Sequence, residues 1–335
     1  MKSRDLYIDF LRFLGLSLII LAHINPPMEL FQFRCFDVPL MLFVSGLTVS
    51  SGNPCSYVDY VTKRTMRLIL PVWIFLAAYL PILYFVQFRF LPEQYLTGEM
   101  IVRSFLLLDN SIGYVWIIRV FLIVMLVTPF VQKFNERIKN YPPLLLYVLI
   151  AVYFSLESVH LIGAHLEKDS VASFIVVDIF QYGLAYSIPF ILGVRCRNVE
   201  GFEQRKLFVW SAAIFAISFI WYVLNYGFPI RITPDFKTPP HSYYIIYGCF
   251  VSMILWQIKK KVSKWGINRY FNFLGQNTIW IYLWHMPFVL VSNRVSDSWV
   301  IRYLFVYAAA IFMFMIQRCI VNKMKSGFAR KYLLG

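Results

Sequence analysis

The sequence predicts an all-α fold: a polytopic membrane protein of about ten transmembrane helices with both termini in the cytoplasm. Three observations carry that prediction. Of 335 residues, 59% are hydrophobic and only 15% charged, and the mean hydropathy is +0.63; an ordinary soluble domain carries roughly 25% charge. The aromatic load of 32 Phe, 22 Tyr and 9 Trp suits lipid and its interfaces. Lysine and arginine are distributed unevenly between alternate connections. The first observation alone excludes a soluble enzyme. A net charge of +15 would suggest nucleic acid in a soluble chain, but among membrane spans it reports topology, and no nucleic-acid partner is expected.

Apolar stretches long enough to cross about 30 Å of hydrocarbon occur near 10–25, 36–51, 68–90, 114–131, 142–160, 171–194, 207–228, 240–257, 273–293 and 299–317. Nothing reads as a strand ladder. The first stretch follows Lys2 and Arg4 in the manner of a signal peptide, yet Asn25-Pro26-Pro27 follow His23 instead of a small-residue cleavage site, so a retained helix is expected.

With the N-terminus in the cytoplasm, 22 basic residues fall inside and 8 outside, the latter being Arg34, Arg89, Arg103, Lys168, Arg231, Lys237, Arg294 and Arg302. Arg12 and Arg119 remain within helices. The positive-inside rule therefore places both termini in the cytoplasm. Cys35, Cys55, Cys196, Cys249 and Cys319 lack the spacing of a metal site or disulfide framework, and a structural role is expected. No linker, low-complexity tract or duplication interrupts the chain, so residues 1–335 read as a single integral membrane domain without an appended soluble domain.

Ionisable groups at membrane depth are costly, so each is a functional candidate or a member of a buried structural pair. In the first helix Asp9 and Arg12 are i,i+3 neighbours able to neutralise one another. Arg12 and His23 are eleven positions apart, three turns plus about 20°, and so share a face at a separation of roughly 16 Å. A helix-end histidine bonded to a neighbour is the plain alternative for His23. Ester or thioester chemistry, however, needs a neutral imidazole to take a hydroxyl proton, and a phosphate-bearing cofactor needs cations set away from the reacting atom.

Lys63-Arg64-Thr65-Met66-Arg67 precedes the third stretch, with Arg64 and Arg67 on one face; they suit either a polyanion or ordinary cytoplasmic anchoring. Arg119 has no acidic residue within one turn and should face a cavity or a carboxylate of another helix, Asp37 and Asp178 being available. Tyr282 and His285 share a face two residues before Pro287, which frees a backbone carbonyl; packed aromatic helix-end residues are the competing account.

These residues resemble the membrane-bound acyltransferase family three, which includes bacterial O-acetyltransferases of surface polysaccharides. Asp9-x-x-Arg12 followed by His23, with ten residues between Arg and His, matches its opening pattern. Asp37-Val-Pro-Leu-Met-Leu-Phe-Val-Ser-Gly46 is similar to its Pro-Leu-Phe-Phe-x-x-Ser-Gly stretch, and Arg64-Thr-Met-Arg67 to its Arg-x-x-Arg motif. Trp116-Ile-Ile-Arg119 with Thr128-Pro129, and Tyr282-Leu-Trp-His285-Met-Pro287, resemble two later elements. The chain departs from the pattern at Val120, where an Asp is frequent, and at Asp37, where His or Tyr is frequent.

The resemblance implies transfer of an acyl group, usually acetyl, from cytoplasmic acyl-CoA to a sugar hydroxyl of an envelope glycan or lipid-linked sugar, in the bacterial inner membrane. Under it Arg12, Lys63, Arg64 and Arg67 hold the CoA phosphates, and His23 is the base or transient acyl carrier. Arg119 polarises the thioester carbonyl or binds the acceptor, while Asp9, Asp37, Tyr282 and His285 assist. No metal is required, and a homo-oligomer is compatible with the sequence. The rival class is a glycan transporter or flippase, which a many-helix bundle with buried Arg and His would also serve; the matching broken helices of inverted repeats are not found.

Overall fold

A computed structural model describes residues 5–49, 56–90, 96–108, 111–112, 115–138, 142–167, 170–227, 234–264, 269–324 and 326–334. The basic residues Lys2, Arg4, Lys139, Lys168, Arg231 and Lys325, and Cys55, lie outside them. The structure is 86% helix, with no strand among the described residues. In chain order the helices are α1 (Leu6–His23), α2 (Met28–Phe33), α3 (Asp37–Leu47), α4 (Tyr57–Phe90), α5 (Gly98–Phe105), α6 (Trp116–Arg137), α7 (Pro142–Ala164), α8 (Val171–Ser173), α9 (Tyr182–Asn198), α10 (Gly201–Tyr226), α11 (Pro234–Lys237), α12 (Ser242–Gln257), α13 (Lys259–Lys264), α14 (Arg269–Gln276), α15 (Thr278–Ser292), α16 (Trp299–Lys323) and α17 (Gly327–Leu333). A π-helical stretch, Phe174–Gln181, joins α8 to α9.

Among the described residues, seven helical spans are long and apolar enough to cross a bilayer: Leu6–His23, Met28–Leu47, Tyr57–Gln87, Trp116–Arg137, Val171–Asn198, Gly201–Tyr226 and Trp299–Lys323. The other three expected stretches are also helical. Helix α7 runs 23 residues, Pro142–Ala164, a rise of about 34 Å, while α15 has 15 residues and α12 has 16 with a tyrosine-rich start; at 1.5 Å per residue these two rise only about 22–24 Å.

The chain divides into two compact units, residues 1–52 with 127–275 and residues 53–126 with 276–335. In the first unit, Asp5 caps α1 by accepting from the Tyr7 amide at 3.1 Å. The helix stops where Asn25 adopts a positive φ of 50° ahead of Pro26-Pro27. Helix α3 tolerates Pro39 because first-turn amides have no intrahelical acceptor.

Small residues set the packing around α3. A Cβ on Gly46 would stand 2.2 Å from the Phe190 carbonyl oxygen, and one on Gly193 2.1 Å from that of Phe43, so α3 and α9 meet backbone to backbone. Gly248 of α12 receives the Pro39 ring, and Gly275 of α14 lies against the Asp9 backbone. Helices α10 and α12 join through Phe215 and Phe250, stacked at 4.7 Å. Cys35, Cys196 and Cys249 are buried and unbridged, as expected of structural thiols.

In the second unit, α4 is continuous over 34 residues and contains Pro71 and Pro81. At roughly 51 Å it outruns the hydrocarbon. Helix α15 packs on α16, and α17 closes over both. Trp284 Nε1 donates to Gln317 Oε1 at 2.6 Å, Gln317 Nε2 to the Leu333 carbonyl at 2.5 Å, and Trp280 Nε1 to the Tyr332 carbonyl at 3.2 Å. Ile74, Tyr79, Trp280, Trp284 and Met313 help to line an apolar cavity of about 310 Å³ beside them.

Candidate active site

Helix α1 is unbroken from Leu6 to His23, so Arg12 and His23 keep the separation of roughly 16 Å read from their spacing. Arg12 Nη1 donates to Asp9 Oδ1 at 2.9 Å, with the carboxylate only 1% exposed. Asp9 thus holds the guanidinium against the helix, and Arg12 and His23 are both half-buried. Below this pair, the Asp5 carboxylate takes Lys259 Nζ at 2.6 Å and Arg197 Nη1 at 3.7 Å. The Tyr7 hydroxyl donates to the Leu255 carbonyl. The Asp5 end of α1 therefore meets the end of α12, which runs antiparallel to it, and this end is rich in cations.

A second charged cluster was not foreseen. The turn between α2 and α3 delivers Arg34, whose guanidinium pairs with the Asp37 carboxylate while lying 4.2 Å over the Phe31 ring. Lys237, two hundred positions later on α11, donates to Asp37 Oδ1 at 3.0 Å and Oδ2 at 3.1 Å. The Val38 amide adds a bond of 2.8 Å to Oδ1. Arg34 is 1% exposed and Asp37 fully buried.

Arg34 and Lys237, counted in the sequence among the basic residues of the outer side, are therefore buried partners of Asp37. Asp37, considered as a countercharge for Arg119, is occupied by those two cations. Burial pushes the Lys237 ammonium below its ordinary value, against the opposing pull of Asp37, and Arg34 adds to the depression. An ideal Cβ on Gly15 would lie 3.8 Å from the Asp37 carbonyl oxygen. Asp37 thus stands at a height between Arg12 and His23.

Beside this cluster the ends of α7, α10, α11 and α12 bring rings together. Phe236 lies 5.9 Å from Tyr222 and 5.0 Å from His241, and Tyr222 lies 4.6 Å from Tyr243. His241 meets His160 edge to face at 4.2 Å, and Gln181 Nε2 donates to His160 Nδ1 at 3.0 Å. Gln181 is the last residue of the π-helical stretch, a distortion common at functional sites.

In the second unit Lys63, Arg64 and Arg67 are exposed on the first turns of α4, with Arg64 5.7 Å from the Tyr60 ring. Arg64 and Arg67 stand one turn apart on an unbroken helix and so present one face, as their spacing predicts. Arg119 is buried in the first turn of α6 at 7% exposure. On α15, Tyr282 and His285 are buried with rings 5.0 Å apart. His285 Nδ1 donates to the Tyr282 carbonyl, which makes Nε2 the basic nitrogen of the neutral ring.

Apolar spans of bilayer length and ionisable groups buried between helices define a multi-pass membrane protein with a polar interior. A family model described as an acyltransferase domain, acyltransferase family 3, matches residues 5–316, nearly the whole chain. The chain belongs to that family and is a membrane acyltransferase. Every motif from Asp9 to Pro287 that carried the resemblance falls inside the match. No curated protein and no solved structure matches the chain.

Proposed function

We propose that the protein is an O-acyltransferase of the bacterial cytoplasmic membrane, with ten spans and both termini in the cytoplasm. It moves an acyl group, acetyl in the first instance, from cytoplasmic acyl-CoA to a hydroxyl of an envelope or exported glycan or of a lipid-linked sugar. The observation that carries this reading is the Asp9-braced Arg12 on an unbroken helix that ends in His23.

In the first unit Arg12 binds a phosphate of the donor and His23 takes the proton of the acceptor hydroxyl. The hydroxyl oxygen then attacks the thioester carbonyl, the carbon–sulfur bond breaks, and the departing thiolate receives the proton. In a two-step variant His23 itself carries the acyl group before the hydroxyl takes it. In the second unit Lys63, Arg64 and Arg67 bind donor phosphate, Arg119 supplies positive charge to an oxygen of donor or acceptor, and Tyr282 with His285 assists. None of these steps calls for a metal ion.

The test is to incubate membranes containing the protein with radiolabelled acetyl-CoA and a set of envelope glycans. Label is expected in a glycan with wild-type protein and not with His23→Ala. Label trapped on the protein after acid quenching identifies the two-step route. A folded wild-type protein that labels no glycan overturns the reading.

A further inference from the structure

The Tyr7–Leu255 and Asp5–Lys259 contacts place the end of α12 at the Asp5 end of α1. The start of α12, with His241, Phe236 and Lys237 just before it, therefore lies toward the His23 end. Two features meet there, on α11 and the turn that leads into α12. Phe236 and His241, both half-buried, form an aromatic face backed by Tyr222. The next residue, Lys237, belongs to the charged cluster and keeps 15% of its side chain exposed.

That cluster contains two cations and one carboxylate. One positive charge is thus left over where water screens it poorly, an arrangement costly to keep unless an anion shares it. Arg34 Nε, moreover, is buried without a hydrogen-bond partner. A buried guanidinium donor beside surplus positive charge is suited to a carboxylate or phosphate. Aromatic rings adjoining it offer flat apolar faces to the C–H side of a sugar ring.

We propose that this end of the first unit binds the acceptor and selects acidic saccharides. The sugar ring rests on Phe236 and His241, and its carboxylate or phosphate is held by Lys237 and Arg34. This rests on the O-acyltransferase reading with a sugar acceptor, and it names the class of that acceptor. The donor phosphate in this unit is assigned to Arg12, which is paired with Asp9 and is not part of this cluster.

The probes are glucuronate, glucose 6-phosphate, glucose and sodium acetate, titrated into the full chain in nanodiscs without acyl-CoA and followed by thermal shift and tryptophan fluorescence. One charge-assisted contact predicts that an acidic sugar binds about tenfold tighter than glucose. Glucuronate and glucose 6-phosphate separate a carboxylate partner from a phosphate partner. Lys237→Met should abolish the preference while leaving glucose binding unchanged, and Lys237→Arg should keep it. Phe236→Leu should weaken both sugars without altering their ratio, which keeps the proposal testable if the lysine variant fails to fold.

Equal binding of glucose and both acidic sugars, or an equal response to acetate, would overturn the proposal. Because binding is measured without the donor, failure of acyl transfer with sugar binding intact would refute the reaction and leave this site standing.

Discussion

Lys237 holds Asp37 across two hundred positions of chain, its ammonium 3.0 and 3.1 Å from the two carboxylate oxygens. Because Arg34 pairs with the same carboxylate, Asp37 is the hub on which the start of α3 and the segment before α12 both depend.

Removing the hub should therefore cost more than removing either spoke. Asp37→Asn leaves two buried cations facing one another and is expected to lose about 3–5 kcal/mol of stability. Lys237→Met leaves a neutral Arg34–Asp37 pair and should lose less. Thermal unfolding in detergent ranks the two variants, and the reverse order would show that the carboxylate is not the centre of the cluster.

The depressed ammonium has a pH signature. Lys237 faces Asp37, Arg34, Cys35 and the Tyr244 ring, and burial takes it below its ordinary 10.5. Between the folded value and 10.5 the unfolded chain binds more protons, so this group's contribution to stability rises with pH across that window and levels off above it. The melting temperature of wild type relative to Lys237→Met should accordingly climb from neutral pH toward 10.5. A difference that stays flat or falls would contradict it.

His23 ends its helix half-buried, so its removal disturbs little packing. His23→Ala is expected to abolish acyl transfer while changing stability by no more than about 1 kcal/mol. Wild-type turnover in this variant, measured with labelled acetyl-CoA, would take His23 out of the mechanism. Asp9→Asn should be milder, because it only releases Arg12.

Arg64 and Arg67 are exposed on α4 and are assigned to donor phosphate. Arg64→Ala and Arg67→Ala should raise KM for acyl-CoA more than they lower kcat, because contacts far from the thioester stabilise ground and transition states alike. The effect should shrink with dephospho-CoA thioesters if the ribose phosphate is the partner. An unchanged KM for both donors would assign these arginines to topology alone.

Packing at α3 and α9 can be tested by adding one methyl group. Gly193→Ala places carbon 2.1 Å from the Phe43 carbonyl oxygen, and a backbone that must shift to admit it should lose about 3 kcal/mol or more. Gly98→Ala meets nothing within 4 Å and should be neutral within about 0.5 kcal/mol. Yield and melting temperature of the two variants make the comparison.

The fold was legible where lipid dictates composition. Each apolar stretch read from the sequence contains a helix, because a spanning backbone must satisfy its own polar groups. Lengths were less legible, since α12 and α15, at 16 and 15 residues, are shorter than the stretches read for them. Local spacing revealed the Asp9–Arg12 pair. The same spacing links Arg34 to Asp37, yet in the sequence Arg34 counts only among the basic residues of the outer side. Lys237 and the His160–His241 contact had no local signal, because no periodicity connects residues brought together only by the tertiary fold.

The backbone contact of Gly46 with Gly193 also limits how this protein can move. Two helices separated by a layer of side chains can slide, as rotamers exchange within that layer. Helices α3 and α9 have no such layer at their crossing, so they travel as a single plank. Any breathing that admits a substrate or releases a product must be carried by other seams, while this plank keeps the register of the reaction from one turnover to the next.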